Sequence, residues 1–74
     1  MMKKSKLVIC IDNTDYPASL EIRKIYEAVT DAAAARTGQL RVIDESGEDY
    51  LFPEACFIDA NLSKEIQAAV VKAA

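Results

Sequence analysis

Short apolar runs separated by polar segments dominate the first part of the chain. Residues 7–11 form a run rich in β-branched side chains that ends at Asp12, which predicts a strand buried on both faces. The next segment, 13–19, is polar and contains Pro17, which biases Tyr16 toward an extended backbone. We therefore expect a buried strand followed by a loop.

The clearest local signal is a β-hairpin in the second half of the chain. Two apolar runs, 40–44 and 49–52, lie on either side of a polar segment that contains Gly47. A glycine there can supply the positive φ that a tight turn requires. Pro53 ends the second strand, and the apolar run 56–58 predicts a last short strand after a turn.

The turn of this hairpin brings acidic residues together. A two-residue turn at 46–47 would pair Ile43 with Tyr50 and would also place like charges opposite one another, in the pairs Asp44 with Asp49 and Glu45 with Glu48. Such pairs destabilise a hairpin by an amount comparable to the ~0.2–1 kcal/mol of a favourable pair. We expect a nearby base, a cation or a partner to offset this repulsion, and the candidate bases are Arg41 and Arg23.

Two interpretations fit the segment Ser19–Arg36. Apolar positions recur at helical spacing, a serine can cap the start, and Gly38 follows the end, which favours one helix. The part 24–29 also fits a short strand, followed by a single helical turn made of alanines. Local pattern does not decide between them. A helix would give an α+β domain in which it packs on a small antiparallel sheet, whereas a strand would give a mainly β domain.

The two ends of the chain differ in character. Residues 63–74 predict a C-terminal helix capped by Asn61 or Ser63. Its apolar face is mostly alanine, so we expect the helix to fray or to become ordered against a partner. At the other end, residues 1–6 carry three lysines and predict a flexible basic segment.

Length and composition predict a single small domain with a thin core. The chain has 74 residues, 51% of them hydrophobic, and 12 of its residues are alanines. Domains shorter than roughly 70–80 residues seldom gain more than ~3–5 kcal/mol from one core without staples or a partner chain. Self-association is therefore one of the possibilities.

The absence of histidine from the sequence removes the commonest acid–base and nucleophilic mechanisms and disfavours an enzyme. The two cysteines, Cys10 and Cys56, lie in apolar stretches and fit neither a zinc site nor a Cys-x-x-Cys motif. We interpret them as buried free thiols; a disulfide is the alternative, which we favour less because small secreted domains usually carry four or more cysteines. No cofactor is expected.

The charge distribution disfavours nucleic acid as a partner. Three of the nine basic residues lie before Leu7, so the rest of the chain is more acidic than the net charge of −3 suggests. A phosphate-binding module would carry a basic stripe. The apolar run 7–11 is too short for a signal peptide or a membrane helix. We expect a cytoplasmic protein that does not bind membranes.

Several motifs resemble a family of small bacterial proteins to which no activity is assigned. They are the run Arg41–Pro53 (RVIDESGEDYLFP), Phe57 after it, the segment Lys24–Tyr26 and the opening Cys10–Asn13. The likeness covers most of residues 7–62. The central run is its most specific part.

The resemblance implies a small SH3-like β-barrel of about five strands with a short C-terminal helix. In this family Lys24–Tyr26 would lie in a strand, and the pattern Tyr-x-x-Pro-x-x-x-Phe would lead through a short turn into the last strand. The chain departs from it by having Thr30 where proline is frequent and Phe52 where tyrosine is usual. We favour the barrel over the α+β alternative.

The acidic hairpin and two tyrosines are the candidate binding residues. Clustered carboxylates can bind Ca²⁺, but the segment lacks the spacing of an EF-hand, so we interpret it as a solvated acidic face and predict no metal site. Tyr16 and Tyr50 could line an aromatic groove for a peptide, whereas Tyr26, Phe52 and Phe57 are expected in the core. The candidate binding residues are Tyr16, Arg41, Asp44, Glu45, Glu48, Asp49 and Tyr50.

Two functional hypotheses follow. The first is a non-enzymatic, acidic interaction module that binds a protein partner or a second copy of itself. The second is a small enzyme, or a subunit of one, that uses carboxylates or the thiol of Cys10 or Cys56. We favour the first because the chain is short, its core is thin and its hairpin is acidic.

Overall fold

The computed structural model describes residues 5–73. The strands are β1 (Ser5–Cys10), β2 (Ile25–Val29), β3 (Gln39–Ile43), β4 (Asp49–Pro53) and β5 (Phe57–Asp59). The α-helices are α1 (Ala32–Arg36) and α2 (Lys64–Ala73), and a short 3₁₀ turn, Glu54–Cys56, joins β4 to β5.

The five strands form one antiparallel sheet in the order β4-β3-β2-β1-β5. The sheet curls into a half-barrel, with β4 and β5 as its edges and α2 at the C-terminal end. The predicted mainly β class is therefore confirmed.

The segment with two interpretations forms a strand and one helical turn. Ile25–Val29 lies in the sheet between β1 and β3, so its backbone is paired on both sides and the long helix of the α+β alternative is not formed. Asp31, in an extended conformation with φ −147°, caps α1 by accepting the N–H of Ala34 at 3.0 Å. The apolar residues of this segment recur at helical spacing, but pairing with β1 and β3, a tertiary interaction, makes residues 25–29 a strand.

The hairpin between β3 and β4 has a three-residue turn and not the two-residue turn considered from the sequence. The N–H of Asp44 donates to the carbonyl of Glu48 at 3.1 Å, and the N–H of Gly47 donates to the carbonyl of Asp44 at 3.0 Å. Gly47 has φ +83°, the left-handed conformation that such a turn places at its last position.

The longer turn shifts the register by one residue. Ile43 lies opposite Asp49, and Val42 lies opposite Tyr50, so the predicted Ile43–Tyr50 pair is not formed. A shift of one residue moves every side chain of a strand to the other face. The observed register keeps Val42 and Phe52 together in the core, where both are buried.

The first strand starts earlier than the apolar pattern predicts. Ser5 and Lys6 belong to β1, and the ammonium of Lys6 lies 3.4 Å from a carboxylate oxygen of Asp59. These two residues are therefore not part of a flexible segment. The rest of the predicted flexible segment, residues 1–4, lies outside the described residues.

The core fills the concave side of the sheet. Tyr26, Phe52 and Phe57 are buried there as predicted, with the ring of Phe57 in edge-on contact with the other two. Leu20 is fully buried although it comes from the loop between β1 and β2. The rest of the core cluster consists of Val8, Cys10, Ala28, Val42 and Cys56.

Helix α2 forms where it was predicted, with Ser63 as its cap: the N–H of Ile66 donates to the Ser63 hydroxyl at 3.2 Å. Asn61, the alternative cap, has a left-handed backbone with φ +52°. None of the residues 64–73 is buried. The helix therefore does not contribute to the core.

Candidate functional site

The carboxylate of Asp44 holds the hairpin turn together. It accepts the N–H of Ser46 at 2.8 Å and the hydroxyl of Ser46 at 2.5 Å. Asp44 is also the one charged residue among 5–73 that is buried, with 8% of its surface exposed. One of its oxygens, Oδ1, thus accepts both hydrogen bonds inside the turn.

Glu45 connects the hairpin turn to the start of β2. Its carboxylate lies 2.5 Å from the ammonium of Lys24 and accepts the hydroxyl of Tyr26 at 2.5 Å. These two donors, Lys24 first, hold the pKa of Glu45 below its ordinary value. The N–H of Glu45 donates to the carbonyl of Ser19 at 3.1 Å, so main chain and side chain fix the same contact.

Tyr26 lies at the centre of this contact. Its hydroxyl donates to Glu45 and accepts the N–H of Glu21 at 2.7 Å. Burial of the ring, and then the hydrogen bond to Glu45, raise the pKa of Tyr26. The tyrosine therefore stays neutral and works as a bridge between the loop and the hairpin.

Arg41 is the base that offsets the charge of Asp49 in the hairpin. Its guanidinium lies 2.9 Å from a carboxylate oxygen of Asp31 and 3.4 Å from one of Asp49. The Ala34 N–H, and then Arg41, lower the pKa of Asp31. The prediction that Arg41 neutralises the hairpin is confirmed, but Lys24 takes the role suggested for Arg23.

The two candidate tyrosines have different surroundings. Tyr16 is half-buried and packs edge-on against Phe52, with ring centroids 5.1 Å apart. Tyr50 is 49% exposed, and its hydroxyl donates to Glu48 at 2.7 Å. Tyr16 thus serves mainly as packing, whereas Tyr50 is accessible.

All four acids of the hairpin have polar partners within the chain, so the structure explains them without an external ligand. Within residues 5–73, no group of three or more cysteine, aspartate or glutamate side chains is arranged to hold a metal ion. The hairpin acids are thus tied to one another and to neighbouring elements by contacts within the chain.

A row of three isoleucines crosses the convex face of the sheet. Ile9 lies opposite Ile25 of β2 and opposite Ile58 of β5. Side chains of paired residues lie on the same face, and the neighbours of Ile9 in sequence, Val8 and Cys10, lie in the core on the other face. Ile58 is 51% exposed and Ile25 is 38% exposed. We call these three residues the isoleucine row.

The sequence analysis missed the isoleucine row. The run 7–11 was interpreted as a strand buried on both faces, but Ile9 is only half-buried and Ile11 is 48% exposed. The order of the strands decides which apolar side chains become neighbours. Nothing in the spacing of Ile9, Ile25 and Ile58 along the chain indicates that β1 lies between β2 and β5.

Two open grooves share Lys6 and Leu40 in their linings. One has a volume of about 400 Å³ and includes Val8 and Phe57 in its lining. The other has a volume of about 310 Å³ and lies between β2 and α1, beside Arg41. Both linings combine apolar and charged residues.

The thiols of Cys10 and Cys56 are buried in the core. Burial is the largest cause that raises the pKa of each thiol. A cysteine nucleophile usually has a lowered pKa and an accessible sulfur. The environment of these residues does not favour the enzyme hypothesis in its thiol form.

Comparison of the chain with models of protein families, with curated proteins and with solved structures finds no match. Among the described residues, no helix combines the length and the apolar character needed to cross a membrane.

Proposed function

We propose that the protein is a non-enzymatic interaction module that binds a protein surface through the isoleucine row. The observation that carries this proposal is the adjacency of three isoleucines on one sheet face, of which Ile25 and Ile58 are exposed and Ile9 is half-buried. Contiguous apolar patches on small soluble domains frequently mark interaction sites. The partner is another protein or a second copy of this chain.

The geometry of the row supports binding to a flat apolar surface. Its members lie on three neighbouring strands, so their Cβ atoms are spaced by the sheet itself and need little ordering on binding. Covering a half-exposed isoleucine contributes about 1 kcal/mol. Three of them supply a modest apolar centre, around which polar contacts would set specificity.

The acidic hairpin has a supporting role in this proposal. Glu45 and Asp49 are held by Lys24 and Arg41, so the hairpin stiffens the sheet rather than carrying the contact. Tyr50, with 49% exposure, is an aromatic hairpin residue that is accessible to a partner.

We also propose that the protein acts in the cytoplasm. Two unpaired cysteines in a small domain are typical of a reducing compartment, since small secreted domains usually contain several disulfides. The resemblance to small bacterial proteins agrees with this location.

The experiment compares two edge-strand variants of the full-length protein. Ile58→Lys places a charge in the isoleucine row, whereas Leu51→Lys places one on the opposite edge strand at a residue that is 40% exposed. Proteins captured by the tagged chain would be quantified together with its own sedimentation behaviour.

We expect Ile58→Lys to weaken partner binding or self-association about tenfold or more, because it removes an apolar contact and buries a charge. Leu51→Lys should leave it close to wild type. The proposal fails if both variants retain the same partners, or if wild type is monomeric and captures nothing.

A further inference from the structure

The fold brings together two cysteines that are far apart in sequence. Cys10 ends β1 and lies opposite Phe57, the first residue of β5, and Cys56 directly precedes Phe57. The carbonyl of Cys56 accepts the N–H of Ile11 at 2.8 Å and the N–H of Asp12 at 3.3 Å. The two cysteines therefore lie on neighbouring segments that are hydrogen-bonded to each other.

The strand register sets the distance between them. The N–H of Cys10 donates to Lys24 on the other side of β1 at 3.0 Å, so Cys10 and Phe57 form a pair without mutual hydrogen bonds. The Cα atoms of such a pair are about 4.5 Å apart. The Cα atom of Cys56 is about 3.8 Å from that of Phe57 along the chain, in a direction roughly perpendicular to the line between Cys10 and Phe57. The Cα atoms of the cysteines are then about 6 Å apart, within the range of about 4.4–6.8 Å found in disulfides.

Both side chains lie in the same core cluster, although their main chains belong to adjacent strands. Cys56 is the last residue of the 3₁₀ turn, and its side chain is buried in the cluster that also contains Phe57. Besides burial, the negative charges of Asp12 and of the Cys10 thiolate raise the pKa of Cys56, as expected for neighbouring sulfurs. Cys10 is 0% exposed and Cys56 is 8% exposed.

We propose that Cys10 and Cys56 are the site of an intramolecular disulfide that forms when the protein meets hydrogen peroxide. The thiolate of Cys56, the more exposed of the two cysteines, attacks one peroxide oxygen; the O–O bond breaks, leaving a sulfenic acid and hydroxide. Because burial keeps this thiol mostly protonated, the attack is slow compared with that of an exposed cysteine. The Cys10 thiolate then attacks the Cys56 sulfur, the S–S bond forms and hydroxide leaves. The two hydroxides take up the two thiol protons, so two thiols and one peroxide give one disulfide and two waters.

The disulfide would tie β1 to the turn that precedes the edge strand β5. It closes the loop between residues 10 and 56, which restricts the unfolded chain and raises the melting temperature by about 10 °C. In a reducing compartment such a bond is transient and responds to oxidant. This inference goes beyond the proposed interaction and does not depend on it.

The test uses the folded full-length protein with and without hydrogen peroxide. After removal of the oxidant, the chain is unfolded, alkylated with iodoacetamide and weighed by mass spectrometry. We expect a mass lower by about 2 Da, no alkylation, and a linked pair of peptides containing Cys10 and Cys56. Dithiothreitol should restore both thiols and the original melting temperature.

The single variants Cys10→Ser and Cys56→Ser serve as controls. Neither can form the internal bond, so oxidation should add oxygen in steps of about 16 Da instead. The wild-type result does not depend on whether these variants fold. The proposal is overturned if wild type keeps two alkylatable thiols, gains only oxygen, or forms only disulfides between chains.

Discussion

Tyr26 and Glu45 are 19 residues apart in sequence, with α1 and β3 between them, and the hydrogen bond between their side chains links the hairpin turn to β2. Lys24 adds its charge to the same carboxylate. Each of these residues looks like an ordinary surface or core residue in the sequence. Their contact depends on how the loop before β2 lies against the turn.

Replacing Tyr26 with phenylalanine tests this link. Tyr26→Phe removes the hydroxyl but keeps the ring, and it leaves the N–H of Glu21 without its partner. We expect a loss of about 1–2 kcal/mol in the free energy of unfolding, measured by urea denaturation. Tyr50→Phe is the matched control. Tyr50 is exposed, so removal of its hydroxyl should change the free energy of unfolding little. Equal effects of both variants would contradict the bridging role of Tyr26.

Acid should weaken the same contact. The pKa of Glu45 is lowered in the folded state, first by Lys24 and then by Tyr26. A carboxylate whose pKa is lower in the folded state stabilises the fold at pH values above its unfolded-state pKa. This stabilisation is lost as the pH falls through the folded-state pKa. We expect the urea midpoint to fall as pH drops below the ordinary value of 4.5. Glu45→Gln should show a smaller fall, and an identical acid profile would exclude Glu45 as a contributor.

At the scale of elements, the turn of the hairpin depends on one glycine. Gly47 has φ +83°, and a Cβ atom built there would meet nothing within 4 Å. The cost of an alanine is therefore conformational only, about 1 kcal/mol. We expect Gly47→Ala to lower the urea midpoint accordingly, and Gly47→Asn to lower it less, because asparagine tolerates this conformation. A wild-type midpoint for Gly47→Ala would contradict the observed turn.

Most elements were predictable because their signals are local. Apolar runs between turn residues predicted β3, β4 and β5, and a serine before an amphipathic segment predicted α2. The register of the hairpin was not predictable, since Gly47 fits either a two-residue or a three-residue turn. The core packing of Val42 and Phe52 selects the longer one.

At the scale of the whole molecule, the half-barrel depends on loop residues as well as strands. Leu20 is 0% exposed, and it lies in the loop that crosses the core between β1 and β2. Asn13, in the same loop, donates to the carbonyl of Leu20 at 2.9 Å and holds this segment in place. A sheet of five short strands leaves one side of the core open, and this loop covers part of it.

Truncation of the Leu20 side chain should therefore destabilise the fold strongly. We expect Leu20→Ala to lower the free energy of unfolding by about 2–5 kcal/mol, a large part of what a domain of this size has. Thermal unfolding followed by circular dichroism would measure it. Leu51→Ala, at a residue that is 40% exposed, should stay within about 0.5 kcal/mol of wild type. Similar losses for both would mean that Leu20 does not fill the core.

The candidate site was predicted only in part. Arg41 was correctly expected to offset the hairpin acids, because it lies in the strand next to them. Lys24 was not expected in this role, because its contact with Glu45 requires the loop before β2 to lie against the hairpin turn. The isoleucine row and the Cys10–Cys56 proximity were also out of reach, because both arise between strands whose order no local pattern states.

The sequence by itself determined the position of the hairpin and the C-terminal helix, because turn residues and apolar runs act over a few positions. The tertiary structure decided the strand at 25–29, and with it the mainly β class, as well as the hairpin register and the neighbours of Ile9 and Cys10. Those features depend on which strands pair, and strand pairing joins residues that are distant in sequence. Burial of one shared core selects among the pairings that local signals allow.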